Sequence, residues 1–351
     1  MSMTTRQTST PWRRAILGVA AILALFSCRA PDQKVTDAAA ATAESASSEP
    51  AEVPFIDTPA NRIRVQHLSL SLTAFTLYHE LGHMVIREYD IPVLGREEDA
   101  ADRFATLMMT PEPRGASATP ERFDPATEPD VPGVIWAAAW WRYDQRRQDA
   151  AGARQIYWDA HPLGEQRSYQ ILCLVYGSDP ERFEAMADNY LPEERRRECP
   201  EEARENRESW ARVLDGQLLK TGELDARYNP IVEYHPAPPG LEDARRILMD
   251  NMLLEQFGTN LRRLRTRPGV GRPDPNLSWH LPELAKAWQE RSISVVGDAC
   301  LAEGGGFEIN AFWDPANRQI VLCYGLMQDF DDWATTAISR TATGRAEANR
   351  P

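Results

Sequence analysis

Basic charge, histidine and long apolar runs are all scarce in this chain, and each scarcity removes a class of function. Lys and Arg number 39 against 52 Asp and Glu, a formal net charge of −13. So acidic a protein does not take nucleic acid as its main partner; the charge favours solubility instead. Past the first thirty residues no apolar run is long enough to span a bilayer, so the body after them reads as non-membrane. The five cysteines contain no CxxC pair, which excludes a cysteine-built zinc ribbon. Gly304-Gly305-Gly306 lacks a strand-to-helix setting, so it reads as a flexible turn and not a phosphate loop. No internal repeat stands out.

The first residues read as an export signal. Arg13-Arg14 gives a positive start, Ala15 to Phe26 an apolar stretch too short for a stable span, and Leu25-Phe26-Ser27-Cys28 resembles a lipobox. Cys28 is therefore the expected lipid-bearing residue, with simple secretion as the alternative; Arg13-Arg14-Ala15 also fits a twin-arginine signal loosely. The expected organisation is a lipoprotein-type signal peptide over 1–28 and a flexible, Ala-, Ser-, Glu- and Pro-rich linker over 29–55. A helical core over 56–220 follows, then a C-terminal part with helix and antiparallel hairpin over 221–335 and a disordered tail over 336–351. Four cysteines remain after Cys28, an even number that suits an oxidising compartment. Proximity along the chain pairs Cys173 with Cys199 and Cys300 with Cys323. Each would close a loop of about 25 residues, worth roughly 3 kcal/mol.

Only six histidines occur, and two of them stand in Tyr78-His79-Glu80-Leu81-Gly82-His83. Residues four apart share a helix face, so both imidazoles can bind one metal while Glu80 stands on the flank, beside the metal but outside its ligand shell. Zinc lowers the pKa of a bound water to roughly 7, and a carboxylate so placed takes the proton as general base. A catalytic site needs a third protein ligand. In Glu97-Glu98-Asp99-Ala100-Ala101-Asp102, Glu98 and Asp102 share a face with small residues between them, which lets a second helix approach. Glu98 is the expected ligand and Asp102 the acceptor for a ligand histidine's free N–H; Glu97 and Asp99 stay as rival ligands.

Apolar spacing predicts the metal-bearing helix over 63–89, with Leu68, Leu72 and Phe75 inside, and a second helix over 96–110. Residues 111–133 read as a loop. Further helices are expected over 134–147, where Trp136, Trp140 and Tyr143 form a core stripe, then over 164–176, from 181, over 201–219 and over 241–257. Ser178 or Asp179 would cap the helix from 181. Strands are expected over 292–296, 307–313 and 319–323, the last two joined by a turn at Asp314-Pro315-Ala316-Asn317. The fold class is thus α+β, mostly helical, with a small antiparallel sheet.

HELGH followed by GREEDAAD-x-FA resembles the compact gluzincin pattern, HExxH then ExxxD, and is most similar to a bacterial metallopeptidase family that otherwise lacks an assigned function. Glu165-Gln166-Arg167, Ile171 to Pro180, Leu191-Pro192-Glu193-Glu194-Arg195, Cys199, Ser209-Trp210 and the stretch from Asn310-Ala311-Phe312-Trp313-Asp314-Pro315 to Cys323-Tyr324 are similar to it as well. In that family the Asn-Ala-Phe-aromatic stretch usually precedes HExxH; here it follows, as though permuted to the C-terminus. The resemblance implies a gluzincin-like core holding one Zn²⁺ through His79, His83 and Glu98, with a peptide or protein as substrate. By analogy the late hairpin would flank the active-site helix and pair with extended substrate. The oxyanion would want a donor besides the metal. His161, Tyr169, Arg167, His235 and Tyr324 are candidates, and the resemblance favours His161. A lipid-tethered binding or assembly protein keeping a structural or vestigial zinc is the alternative function, and hydrolysis of another amide, such as cell-wall peptide, a third. The expected place of action is the cell envelope, as an exported lipoprotein.

Overall fold

A computed structural model describes residues 55–110 except 89, 133–217 except 156, 231–254 except 252, 294–302 and 305–342. The chain divides into a unit Met1–Ala51 and a unit Glu52–Pro351, and every described residue lies in the second. The signal segment with Cys28, nearly all of the linker, and residues 111–132 of the expected loop fall outside the described residues.

The first helix, α1 (Pro59–Glu88), is the axis of the molecule. Thr58 starts it: its Oγ1 accepts the Asn61 N–H at 3.2 Å, and Pro59 supplies a preset first turn. Leu68, Leu72 and Phe75 bury one stripe as expected, and Val65 extends it. From Leu77 to Ile86 burial spreads around the helix, because α2 (Glu97–Met109), α3 (Gly133–Ala150) and the C-terminal elements enclose it. Asp90 ends the helix in a left-handed conformation (φ 52°), and the Ile91 N–H closes on the Ile86 carbonyl at 2.9 Å.

Close approach of α1 and α2 depends on small residues. A Cβ on Gly82 would sit 3.0 Å from the Ala101 Cα and 3.3 Å from its Cβ, and Ala101 and Ala105 are fully buried. Beyond them lie α4 (Gly164–Ser178), α5 (Pro180–Tyr190), the short α6 (Glu193–Arg196) and α7 (Cys199–Gln217). Asp179 is the cap of α5, accepting the Arg182 N–H at 3.2 Å. The expected disulfides are both formed: Cys173–Cys199 ties α4 to α7, and Cys300–Cys323 ties the segment after the second strand to the end of the last. Gly177 lets α4 and α7 touch, since a Cβ there would collide with the Cys199 carbonyl.

The rest of the chain supplies β1 (Ile231–Tyr234), α8 (Glu242–Asp250), β2 (Ser294–Asp298), β3 (Ala311–Asp314), β4 (Gln319–Cys323) and α9 (Tyr324–Ala342). The sheet order is β1-β2-β4-β3. The expected hairpin is its antiparallel part, Trp313 opposite Ile320, but β1–β2 and β2–β4 are parallel, so the sheet is mixed rather than antiparallel throughout. β2 is buried along most of its length, as parallel strands with covered faces are. A second correction concerns the C-terminus. Residues 336–342, expected as the start of a disordered tail, continue α9, whose Phe330, Trp333, Ala334 and Ile338 are buried. Among the described residues no helix is long and apolar enough to cross a membrane.

The hairpin packs against α1, where the Arg318 guanidinium meets Glu88 at 2.8 Å. Although the Asn310–Tyr324 stretch follows the histidines by more than 200 residues, it folds back beside the helix that carries them.

Candidate metal centre

Helical spacing on α1 presents His79 and His83 to the first turn of α2, which carries Glu98. The Nε2 atoms of the two imidazoles are 3.1 Å apart; Glu98 Oε2 is 3.2 Å from the first and Oε1 3.4 Å from the second. These three side chains form the one group among the described residues that could hold a metal ion. A tetrahedral site with bonds of about 2.0–2.1 Å has ligand–ligand edges of about 3.3 Å, so the donor set fits a small divalent cation. A second sign is that Glu98 Oε2 is buried with no well-aligned hydrogen-bond donor.

Each imidazole turns its other nitrogen to a carboxylate. His79 Nδ1 lies 2.9 Å from Asp102 Oδ1, at contact distance though short of straight hydrogen-bond alignment. Asp102 is in turn gripped by Arg167 through two bonds of 2.6 and 2.7 Å, and the guanidinium lies 3.5 Å over the Trp141 ring. His83 Nδ1 meets Glu97 Oε1 at 3.0 Å, and Arg87 braces Glu97. With Nδ1 protonated toward a carboxylate, each ring leaves its Nε2 lone pair to the niche.

Electrostatics agree with a niche built for a cation. Burial alone would lower the His79 pKa, but Asp102 and Glu98 outweigh it and lift it to about 9. His83 is also raised, burial being overcome first by Glu98. Glu98 is held far below the usual carboxylate range, because the two histidines beside it outweigh its burial. In Asp102 burial again works upward, yet Arg167 and His79 bring it down to about 2. Glu80 differs: burial dominates and raises its pKa, only partly offset by His79 and His83. Its carboxylate is 4.0 Å from His79 Nε2, adjacent to the niche but outside it. The Trp313 backbone N–H, on edge strand β3, also favours the charged form of Glu80.

A cleft of about 360 Å³ opens on His79 and Glu80. Apolar Phe75, Trp140 and Phe330, the segment Ile309 to Ala311, and His161 are among the residues that line it. Trp140 thus serves both the core and the cleft, whereas Trp136 and Tyr143 pack on Trp333.

The sequence-derived candidates separate clearly. His161 is brought to the centre: its Nε2 is 3.2 Å from Glu98 Oε2 and its Nδ1 3.0 Å from Asp159. Arg167 lines the cleft but is committed to Asp102, so it has no free fork for an oxyanion. The Tyr324 hydroxyl donates to the His235 and Gly297 carbonyls, and His235 pairs with Asp298 at 2.6 Å, away from the cleft-lining residues. Tyr169 stacks under Arg142. Of the rival ligands, Asp99 pairs with Arg96 at 3.4 Å, and Glu97 sits behind His83, on the ring nitrogen facing away from the niche. Sequence reasoning missed Arg87 and the outer role of Glu97. The available signal was Arg87 four residues after His83, one further turn along the same face.

Two histidines and a glutamate around one point, with a buried carboxylate beside them and a cleft in front, form a helix-borne group of the HExxH kind that could hold a metal ion. The family model DUF4344, described as "Putative metallopeptidase", matches residues 35–214, just over half of the chain, and the chain belongs to that family. The hairpin from Asn310 to Tyr324 lies outside the matched residues. Curated proteins and solved structures yield no match.

Proposed function

We propose that this protein is a zinc-dependent peptidase in which His79, His83 and Glu98 hold the metal and Glu80 is the general base. The observation that carries the reading is the mutual spacing of three donor atoms at 3.1, 3.2 and 3.4 Å, with Glu80 alongside and a cleft in front. A His₂Glu donor set with one position left open suits catalytic zinc, which when bound polarises a scissile carbonyl and acidifies water. Glu80 takes the water proton on its carboxylate and delivers it to the leaving amide nitrogen. Its burial helps, since a carboxylate raised toward neutrality both accepts and returns a proton readily. Asp102 and Glu97 keep the imidazoles oriented. His161, whose Nδ1 is held by Asp159, is the side chain assigned to the developing oxyanion, donating from Nε2 with protons on both ring nitrogens.

Peptide in extended form would lie along β3, whose outer edge carries no strand partner among the described residues. Among the described residues three donors, His79, His83 and Glu98, converge on the niche, which supports a hydrolase over a structural or vestigial zinc, for which a fourth protein ligand is usual. The two disulfides support an oxidising compartment, and with Cys28 as the lipid-bearing residue the site of action is the cell envelope.

The decisive experiment digests an unbiased peptide library with wild type, Glu80→Gln and a chelator-treated control. Glu80→Gln should bind zinc normally and lose nearly all hydrolysis, because an amide cannot accept the proton. Cleavage that survives the substitution refutes the assigned base. Absence of cleavage by folded, zinc-loaded wild type refutes the peptidase reading.

A further inference from the structure

The carboxylates behind the two histidines differ sharply in setting. Behind His79, Asp102 and Arg167 are almost wholly buried, with side-chain exposures of 3 % and 4 %. Behind His83, Glu97 is 23 % and Arg87 64 % exposed. A carboxylate so placed can swing into water unless something holds it. Arg87 does so side-on, Nε to Oε1 at 3.1 Å and the terminal nitrogen to Oε2 at 2.7 Å, while Oε1 also meets His83 Nδ1 at 3.0 Å. One oxygen therefore serves both the metal-site histidine and the arginine.

We infer that Glu97 and Arg87 are a positioning pair for His83: Glu97 fixes its ring and tautomer, Arg87 fixes Glu97, and metal affinity thereby becomes sensitive to ionic strength through the solvent-facing half of the niche. The inference rests on the assignment of His79, His83 and Glu98 as metal ligands. A plainer explanation exists for each residue taken alone, since an acid in the first turn of α2 and a base in the last turn of α1 both suit the helix dipoles. That explanation predicts independent effects on stability and none on metal. A shared oxygen predicts coupled effects on metal. Asp102, enclosed with Arg167, lies beyond the reach of salt screening.

The test is zinc affinity, measured by competition with a chromophoric chelator, for wild type, Glu97→Ala, Glu97→Gln, Arg87→Ala, Arg87→Lys and the double alanine variant. Glu97→Ala should weaken binding by roughly 10–100-fold, the usual effect of losing a carboxylate behind a ligand histidine. Arg87→Ala should cost a few-fold, Arg87→Lys less, and the double variant no more than Glu97→Ala alone. At 1 M salt, where screening acts over about 3 Å, wild type should fall toward the affinity of Arg87→Ala, which itself hardly moves. Thermal melts of the metal-free forms check folding. Should Glu97→Ala not fold, Glu97→Gln decides, because its amide lacks the charge that engages Arg87 and its affinity should ignore salt. Affinity of Glu97→Ala within twofold of wild type, additive effects of the two alanines, or a Glu97→Gln as salt-sensitive as wild type would each overturn the pair while leaving the metal assignment intact. Wild type that binds no zinc would defeat both.

Discussion

Replacing Arg167 by methionine tests how the niche is held together. Methionine keeps much of the arginine stem but removes the guanidinium, and with it both bonds to Asp102 and the contact over the Trp141 ring. Asp102 is then a buried carboxylate whose remaining partner is His79. Breaking a buried ion pair from one side costs about 3–5 kcal/mol when the stranded charge has no escape. Here it has one, by taking a proton. In the metal-free native protein the Asp102 pKa falls from 3.8 to about 2, so its interactions contribute about 2 kcal/mol. Because the folded-state value is the lower one, that stability is present above about pH 4 and is lost as pH falls toward 2. Without Arg167, burial acts with less opposition and the pKa rises; once the folded-state value passes 3.8 the sign reverses, and acidification relieves the variant instead of weakening it. We expect urea unfolding of chelator-treated protein at pH 7 to show Arg167→Met less stable by about 2–5 kcal/mol. The gap should narrow as pH approaches 4, and zinc affinity should fall with it. A stability unchanged within about 0.5 kcal/mol at pH 7 would refute the claim that this pair anchors the centre.

Gly82→Ala should press α2 away from α1, since its Cβ would meet the Ala101 backbone at 3.0 Å. The expected cost is about 1–3 kcal/mol in a thermal melt, with weaker zinc binding because Glu98 rides on α2; unchanged melting and affinity would contradict this. For the anchor, wild type expressed in a bacterial host should take up lipid label and fractionate with membranes, and Cys28→Ser should do neither. Label on both forms, or on neither, would reject the lipobox assignment.

What the sequence disclosed was what neighbours along the chain decide. The course of α1, the shared face of His79 and His83, and the small residues that admit α2 all follow from spacings of three or four residues. Glu98 was readable for the same reason. Glu97 was not, because whether an acid in a helix's first turn faces water or the far side of an imidazole depends on how two helices meet. β1 pairs with β2 across more than sixty residues, and Ile231–Tyr234 has an exposed–intermediate pattern that gives little strand signal. The helix α9 begins directly where β4 stops, with no cap residue or break to announce it, and a Gly at 325 obscures its start. The Trp313 N–H is a backbone donor, and side-chain identity does not reveal where such a group points.

The distance along the chain between Glu80 and Trp313 gives the molecule a timetable. His79, His83 and Glu98 leave the ribosome within twenty residues of one another. The strand that faces Glu80 is synthesised more than 210 residues after Glu98. At about 5–20 residues per second that interval is on the order of 10–50 seconds. Until it has elapsed, a nascent chain carries the donors for a metal but neither the wall beside its base nor the edge on which an extended peptide would lie.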